Sequence, residues 1–168
     1  MRRVSSAVLA AALLSSFAYA APGLAHAAQP TGVFTSADSA AIDKLIHDYF
    51  HAFTVKNYAA FADYFAAPFL LVGPEPRVLP TVPDAVRMWR HIREPLDHTD
   101  YATSQPVHIR VLAISPQTAL ANIYWQRLTR SGAVMSQGAE YYFMTKKSGH
   151  WQIDGNMGQQ LALYQGAR

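Results

Sequence analysis

Residues 118–157 read TALANIYWQRLTRSGAVMSQGAEYYFMTKKSGHWQIDGNM, and this stretch decides the fold. It contains three runs rich in aromatic and β-branched residues, divided by Ser131-Gly132 and Ser148-Gly149. A small residue followed by Gly between two such runs is a hairpin signal. The stretch therefore predicts strands over 118–130, 133–147 and 150–157. Upstream, residues 107–114 alternate in polarity, and Ser115-Pro116-Gln117 turns the chain into the first of these strands. Together they make a four-strand antiparallel meander.

Two-residue turns fix register, and register fixes which side chains share a face. Closing both hairpins tightly sets Glu140 opposite Ile123 and Met157, Tyr142 opposite Ala121, and Phe143 opposite Asp154. One face then carries Ala121, Ile123, Trp125, Glu140, Tyr142, Met144, Trp151, Ile153 and Met157. It is the more apolar face and should meet helices. The other carries Leu120, Asn122, Tyr124, Tyr141, Phe143, His150, Gln152 and Asp154. A monomer would expose its rings, which points to a homodimer through this outer face; a terminal segment laid over it is the other arrangement.

The helices come before the meander. Thr35 followed by Asp38 is a helix start, and Ile42, Leu45, Ile46, Tyr49, Phe50 and Phe53 recur at helical spacing to about Val55. Asn57 is placed to cap a short second helix over 58–65, ended by Pro68, with a buried strand over 69–72 and a turn at Gly73-Pro74. Pro83 suits the first turn of a third helix, whose apolar residues are Ala85, Val86, Met88, Trp89 and Ile92. Pro95 ends it, and Arg87, Arg90, His91, Arg93 and Glu94 are expected to face solvent. The fold class expected is α+β, with N-terminal helices packed against one antiparallel sheet.

The chain of 168 residues is enough for one domain. Residues 1–27 read as a secretory signal peptide. Arg2 and Arg3 precede an apolar run over 8–21, and Ala25-His26-Ala27 has the small-x-small pattern of a cleavage site, as does Ala18-Tyr19-Ala20. The run is short and Ala-rich for a membrane span, although a retained anchor is the competing reading. Residues 28–34 form a lead-in, and 35–168 the folded domain. The expected location is periplasmic or secreted, with no stable membrane span after processing. Removing the signal takes away two arginines, leaving twelve basic residues against eleven acidic ones. No basic stripe stands out, so nucleic acid is not an expected partner. There is no cysteine, which excludes disulfides, thiolate catalysis and Cys-type zinc sites.

Glu140 is the only acid on the helix-facing side in this register. A carboxylate among Trp125, Tyr142, Trp151 and Ile123 would be partly desolvated, and desolvation raises a carboxyl pKa into the range of a general acid or base. An ion pair with Arg127 on the same face, or escape to water at the sheet rim, would instead make it structural. Tyr49, on the core side of the first helix, could donate to a ligand carbonyl or simply pack its ring. Phe53, Trp89, Trp125, Tyr142 and Trp151 are the expected ligand-binding residues around them. Asp43, His47 and His51 share a helix face at metal-ligand spacing, but that face is turned off the apolar stripe, and a solvated surface is the simpler reading. No metal site is assigned. No nucleophile elbow, phosphate-binding glycine loop or zinc-protease helix occurs, so no cofactor is expected.

The layout resembles the nuclear-transport-factor-2-like superfamily, which includes SnoaL-like proteins and ketosteroid isomerase, and its exported bacterial members. The resemblance covers residues 36–157. It rests on Tyr49-Phe50-His51-Ala52-Phe53 closing the long helix, the break at Lys56-Asn57-Tyr58, Asp63-Tyr64-Phe65 closing the short helix, and the hairpin over 146–153. It implies a cone-shaped curved sheet wrapped around the helices, an apolar cavity open at one end, and dimerisation through the sheet's outer face. By the same resemblance, the isomerase's oxyanion tyrosine falls on Tyr49. Its general base falls near Gly73, where no acid stands, although Glu75 is nearby after Pro74, and its proton-donating acid near Tyr142 or Phe143, with Glu140 close by. The isomerase's acid–base pair therefore does not carry over.

Three functions remain open at this level: an exported binder of a small apolar or aromatic molecule in an apolar cavity, which is favoured because the pocket is rich in rings and poor in paired catalytic groups; a cofactor-independent isomerase or dehydratase using Glu140 and Tyr49 for proton transfer; and a protein-interaction module whose core is filled.

Overall fold

The computed structural model describes residues 32–161. The signal-peptide reading of residues 1–27 lies outside them. Helix α1, Ser36–Thr54, starts at a capping box in which Thr35 Oγ1 accepts from the Asp38 N–H and the Asp38 carboxylate accepts from Thr35. It buries Ile42, Ile46, Tyr49, Phe50 and Phe53, the stripe expected from their spacing. Helix α3, Val82–Arg93, opens on a second capping box, Thr81 with Asp84, and has Pro83 in its first turn. It runs into a 3-10 turn, Glu94–His98, that contains Pro95.

Between them the chain departs from the expected pattern. Helix α2 is only Phe61–Tyr64, and strand β1 begins at once with Phe65–Val72. Phe65 pairs with the last strand and is 1 % exposed among Phe61, Phe69 and Tyr49. Burial in that ring cluster outweighs the helical continuation that local sequence favoured. A three-residue strand β2, Arg77–Leu79, pairs antiparallel with β1 and carries no sequence signal of its own.

Strands β3 (Tyr101–Ser115), β4 (Thr118–Thr129), β5 (Val134–Lys147) and β6 (His150–Gln159) form the meander. The whole sheet runs β2-β1-β6-β5-β4-β3. It is a curved, mixed, unclosed sheet, because β1 lies parallel to β6 while every other pairing is antiparallel. Ser148 and Gly149, at φ of 50° and 85°, both take the positive angles of the tight hairpin expected there.

The β4–β5 register is the expected one, with Ile123 opposite Glu140 and Ala121 opposite Tyr142. The β5–β6 register is shifted. Phe143 lies opposite Gly155 and Met144 opposite Ile153, so Asp154 is an extra, bulged residue. Beyond the bulge every β6 side chain changes face. Glu140 stands opposite Gly158 rather than Met157, Met157 pairs with Tyr141 of the outer row, and Asn156 turns inward opposite Tyr142.

One further expectation is corrected. Arg93 does not belong to a solvated face: it is 5 % exposed. Its guanidinium donates to the Phe53 and Thr54 carbonyls at 3.1 and 3.0 Å, binds Asp97 at 2.7 Å and lies over the Tyr101 ring. The last turn of α1 leaves carbonyls without helical partners, and Arg93 is the donor that satisfies two of them. No helix of the described residues is long and apolar enough to cross a membrane.

Candidate functional site

The C-terminal half of α1 enters a cluster of rings contributed by α2, β1, α3 and β5. Tyr49 is its hub. Its ring meets Phe50, Phe61, Phe65, Trp89 and Tyr142 edge-on, with centroids 5.2 to 6.0 Å apart. Such contacts favour close packing over open space. The interior volume left beside Tyr49, Phe50, Phe53, Trp89, Ser104, Trp125, Arg127, Glu140 and Tyr142 is only about 20 Å³, room for one water. Further out lies an open cleft of about 630 Å³ between α3, the β1–β2 hairpin, the end of β4, the middle of β5 and the end of β6. Trp89, Arg127 and Glu140 line both the inner cavity and the cleft.

Glu140 is half-buried at this junction. The Trp125 indole donates to its Oε1 at 3.0 Å and the Asn156 amide to its Oε2 at 2.9 Å. The first contact depends on a glycine. A Cβ at Gly138, opposite Trp125, would stand 2.6 Å from the indole ring, so the ring can lie across β5 only where no side chain exists. The second contact depends on the Asp154 bulge that turns Asn156 inward. Tyr142 completes the arrangement, with its hydroxyl bonded to both Glu140 and Tyr49. Burial, then the Glu140 charge, push both the Tyr142 and Tyr49 hydroxyls well above the ordinary phenol range. Both therefore stay protonated, as donors rather than bases.

The expected ion pair between Glu140 and Arg127 is not formed. The Arg127 guanidinium instead lies 4.8 Å from the Trp125 ring centre and 5.8 Å from that of Phe53. Of the seven site residues named from the sequence, six line the inner cavity: Tyr49, Phe53, Trp89, Trp125, Glu140 and Tyr142. Trp151 does not. Its indole donates to Asp38 Oδ1 at 3.1 Å and packs against Phe34, at the other end of α1. The residues that sequence reasoning missed are Asn156 and Gly138; Arg127 is on the expected face but does not pair with Glu140. A glycine inside each of two strands, Gly138 and Gly155, was the available signal of close approach or a bulge. Asp43, His47 and His51 are exposed, and no group of three potential metal ligands occurs among the described residues.

A helix layer wrapped by a curved, open sheet, with its cleft at one mouth, is the nuclear-transport-factor-2-like architecture. The profile of an NTF2-like protein family, DUF6841, matches residues 37–160, and the chain belongs to that family. No curated protein sequence matches significantly. Among solved structures, a Nostoc punctiforme protein of unknown function with a cystatin-like fold is similar at TM-score 0.63 and 12 % identity, over 76 % of this chain and 93 % of that one. Aln2 from a Streptomyces species is similar at 0.62 and 13 %, over 79 % and 96 %. The association domain of C. elegans CaMKII is similar at 0.56 and 16 %, over 74 % and 96 %. At these identities the likeness is one of fold.

Proposed function

We propose that the protein is an exported binder of a small apolar or aromatic molecule, working in the periplasm or outside the cell, and that the ligand occupies the cleft at the mouth of the cone. The observation that carries this reading is the junction of cleft and core. A concave site of about 630 Å³, with Leu71, Leu79, Met88 and Ile92 among its lining, ends on the polar trio Glu140, Arg127 and Asn156. Seven of its fifteen lining residues are polar or charged and the others are apolar or glycine, so the site offers contact to an apolar body and polar groups to orient it. The apolar cavity expected among the interior rings is packed, which moves the ligand outward.

The competing enzyme reading, isomerisation or dehydration by Glu140 with Tyr49, is less well supported. Tyr49 is 3 % exposed, lies outside the cleft and reaches Glu140 only through Tyr142. Glu75 and His91 also line the cleft, so the case against proton transfer by this pair rests on the burial of Tyr49 away from the ligand.

The outer sheet face supports a homodimer as part of the same proposal. Arg110, Leu112, Leu120, Asn122 and Tyr141 surround a recess of about 170 Å³ on it. Leu112 is 56 % exposed, and the Asn122 amide oxygen is buried there without a partner. A second copy would bring both apolar cover and a donor.

Native mass spectrometry on protein purified gently from its own host tests both parts. A dimer retaining a discrete small-molecule mass, lost in Glu140→Gln, is the expected result. A bare monomer with no retained mass would overturn the reading. A dimer without added mass, unaffected by cleft substitutions in every binding assay, would favour the interaction module with a filled core.

A further inference from the structure

Two hydrogen-bond donors beside Glu140 have no acceptor among the described residues. They are the Nε1–H of Trp89 and the Nε–H of Arg127, both buried at the atom. Trp89 as a whole is 7 % exposed. Buried polar groups in folded proteins are almost always paired, and leaving one unpaired is costly. Two unpaired donors on one cavity mark a place where an acceptor belongs. The cavity between them, about 20 Å³, admits a single oxygen atom.

Arg127 also lacks a counter-charge. Among the described residues it takes part in none of the ion pairs. The cleft above it has three arginines (Arg77, Arg87 and Arg127) and two glutamates (Glu75 and Glu140); Arg87 is already paired with Asp84, whereas Arg127 is not paired. Both Glu140 oxygens already accept from neutral donors, Trp125 and Asn156. A neutral carbonyl would fill the two N–H groups and leave the guanidinium charge unanswered. A carboxylate answers both, and bonds from a guanidinium to a carboxylate are among the stronger kind.

We propose that Trp89 and Arg127 form a carboxylate subsite, and that the ligand is a small organic acid. One carboxylate oxygen enters the inner cavity and accepts from Trp89 Nε1–H and Arg127 Nε–H. The apolar body lies in the cleft against Leu79, Met88 and Ile92. The inference rests on reading the cleft as the ligand site, and it adds the chemical class.

The three tryptophans give a direct measurement, because each indole N–H yields its own signal in the NMR spectrum of the nitrogen-15-labelled chain. Trp89→Phe assigns the one that matters. Phenylacetate and phenylacetamide, alike in shape and different in charge, are the probes. Phenylacetate is expected to move the Trp89 indole proton downfield and to bind about tenfold tighter than the amide. Arg127→Met should erase that preference. Arg127→Lys keeps the charge and loses the Nε–H; it should weaken both probes several-fold, since either oxygen accepts from that N–H, and unchanged binding of both would overturn the subsite, so the test does not depend on the Met variant folding. Trp151, bonded to Asp38 outside the cleft, should not move. Equal binding of acid and amide, or a preference that survives in Arg127→Met, would overturn the carboxylate subsite while leaving the cleft as a ligand site. Equal movement of Trp151 would mean a global change and would also overturn it. If neither probe disturbs any cleft residue, the subsite and the ligand-site reading both fall.

Discussion

The fold holds two carboxylates in nearly the same way and uses them differently. Asp38 and Glu140 each accept from a tryptophan indole, Trp151 at 3.1 Å and Trp125 at 3.0 Å. At Asp38 the remaining partners are Lys146, at 2.7 Å, and Thr35 in the capping box. Its charge is matched, and the site ties the start of α1 to the end of the sheet. At Glu140 the remaining partners are a neutral amide and a phenol, and the carboxylate stands where the core opens into the cleft. A carboxylate closed off by a cation is a structural element. One held only by neutral donors, beside an unpaired arginine, is available to a ligand.

The most damaging way to break this comparison is to remove the space on which the Glu140 site depends. Gly138→Val should drive the Trp125 ring off β5 and cost about 2–3 kcal/mol, seen as a fall in Tm of about 5 °C or more. If Tm is unchanged, the indole is not fixed where the structure places it.

The two indoles can then be compared directly. Trp125→Phe removes one of the donors to Glu140 and should cost about 1–2 kcal/mol by chemical denaturation. Trp151→Phe should cost less, because Lys146 and Thr35 still hold Asp38. The reverse order would mean that the two sites have been assigned the wrong roles.

Acid sharpens the difference further. The Lys146 hydrogen bond, then those from Thr35, hold the Asp38 carboxyl far below the usual carboxylate range. A carboxyl depressed in the folded state stabilises it fully above the unfolded value, about 3.9, and loses that contribution as pH falls toward the folded value. Lys146→Met should therefore lower Tm at neutral pH, and the gap to wild type should narrow as pH drops below about 4. A gap that stays constant down to strong acid would show that the pair contributes nothing through Asp38.

The smallest expected effect is on the stability of Glu140→Gln. The amide keeps an acceptor oxygen for one of the three groups that donate to Glu140, so the loss should stay within about 1 kcal/mol. Ligand retention, not Tm, should report the change.

Much of the fold was legible because its signals are local. The Ser148-Gly149 turn, the two Thr–x–x–Asp helix starts and the α1 stripe each act over a few residues. The β4–β5 register, and with it the inward facing of Glu140, Tyr142 and Trp125, agrees with the one expected from Ser131-Gly132, although the turn is wider, with Thr129 bonded to Ala133, and an irregularity beside Leu128 restores the register. Trp151 was placed on the correct face and credited to the wrong site, because alternation gives the face of a strand and not the position along it that a distant helix will cover. Arg93 was assigned to solvent because its acceptors, the Phe53 and Thr54 carbonyls, belong to another helix forty residues earlier.

The sequence by itself determined the class of fold, the order of its elements, the ring-rich inner face and the one inward-facing acid, since periodicity and turn chemistry are properties of neighbours in the chain. The tertiary structure alone decided that the rings close on Tyr49 and leave about 20 Å³, that the bulge at Asp154 brings Asn156 to Glu140, and that Trp89 and Arg127 are left with donors unpaired. Each of these depends on how far apart packed elements come to rest. That distance is set by the volumes of side chains from four or five segments at once, and no stretch of the sequence contains them together.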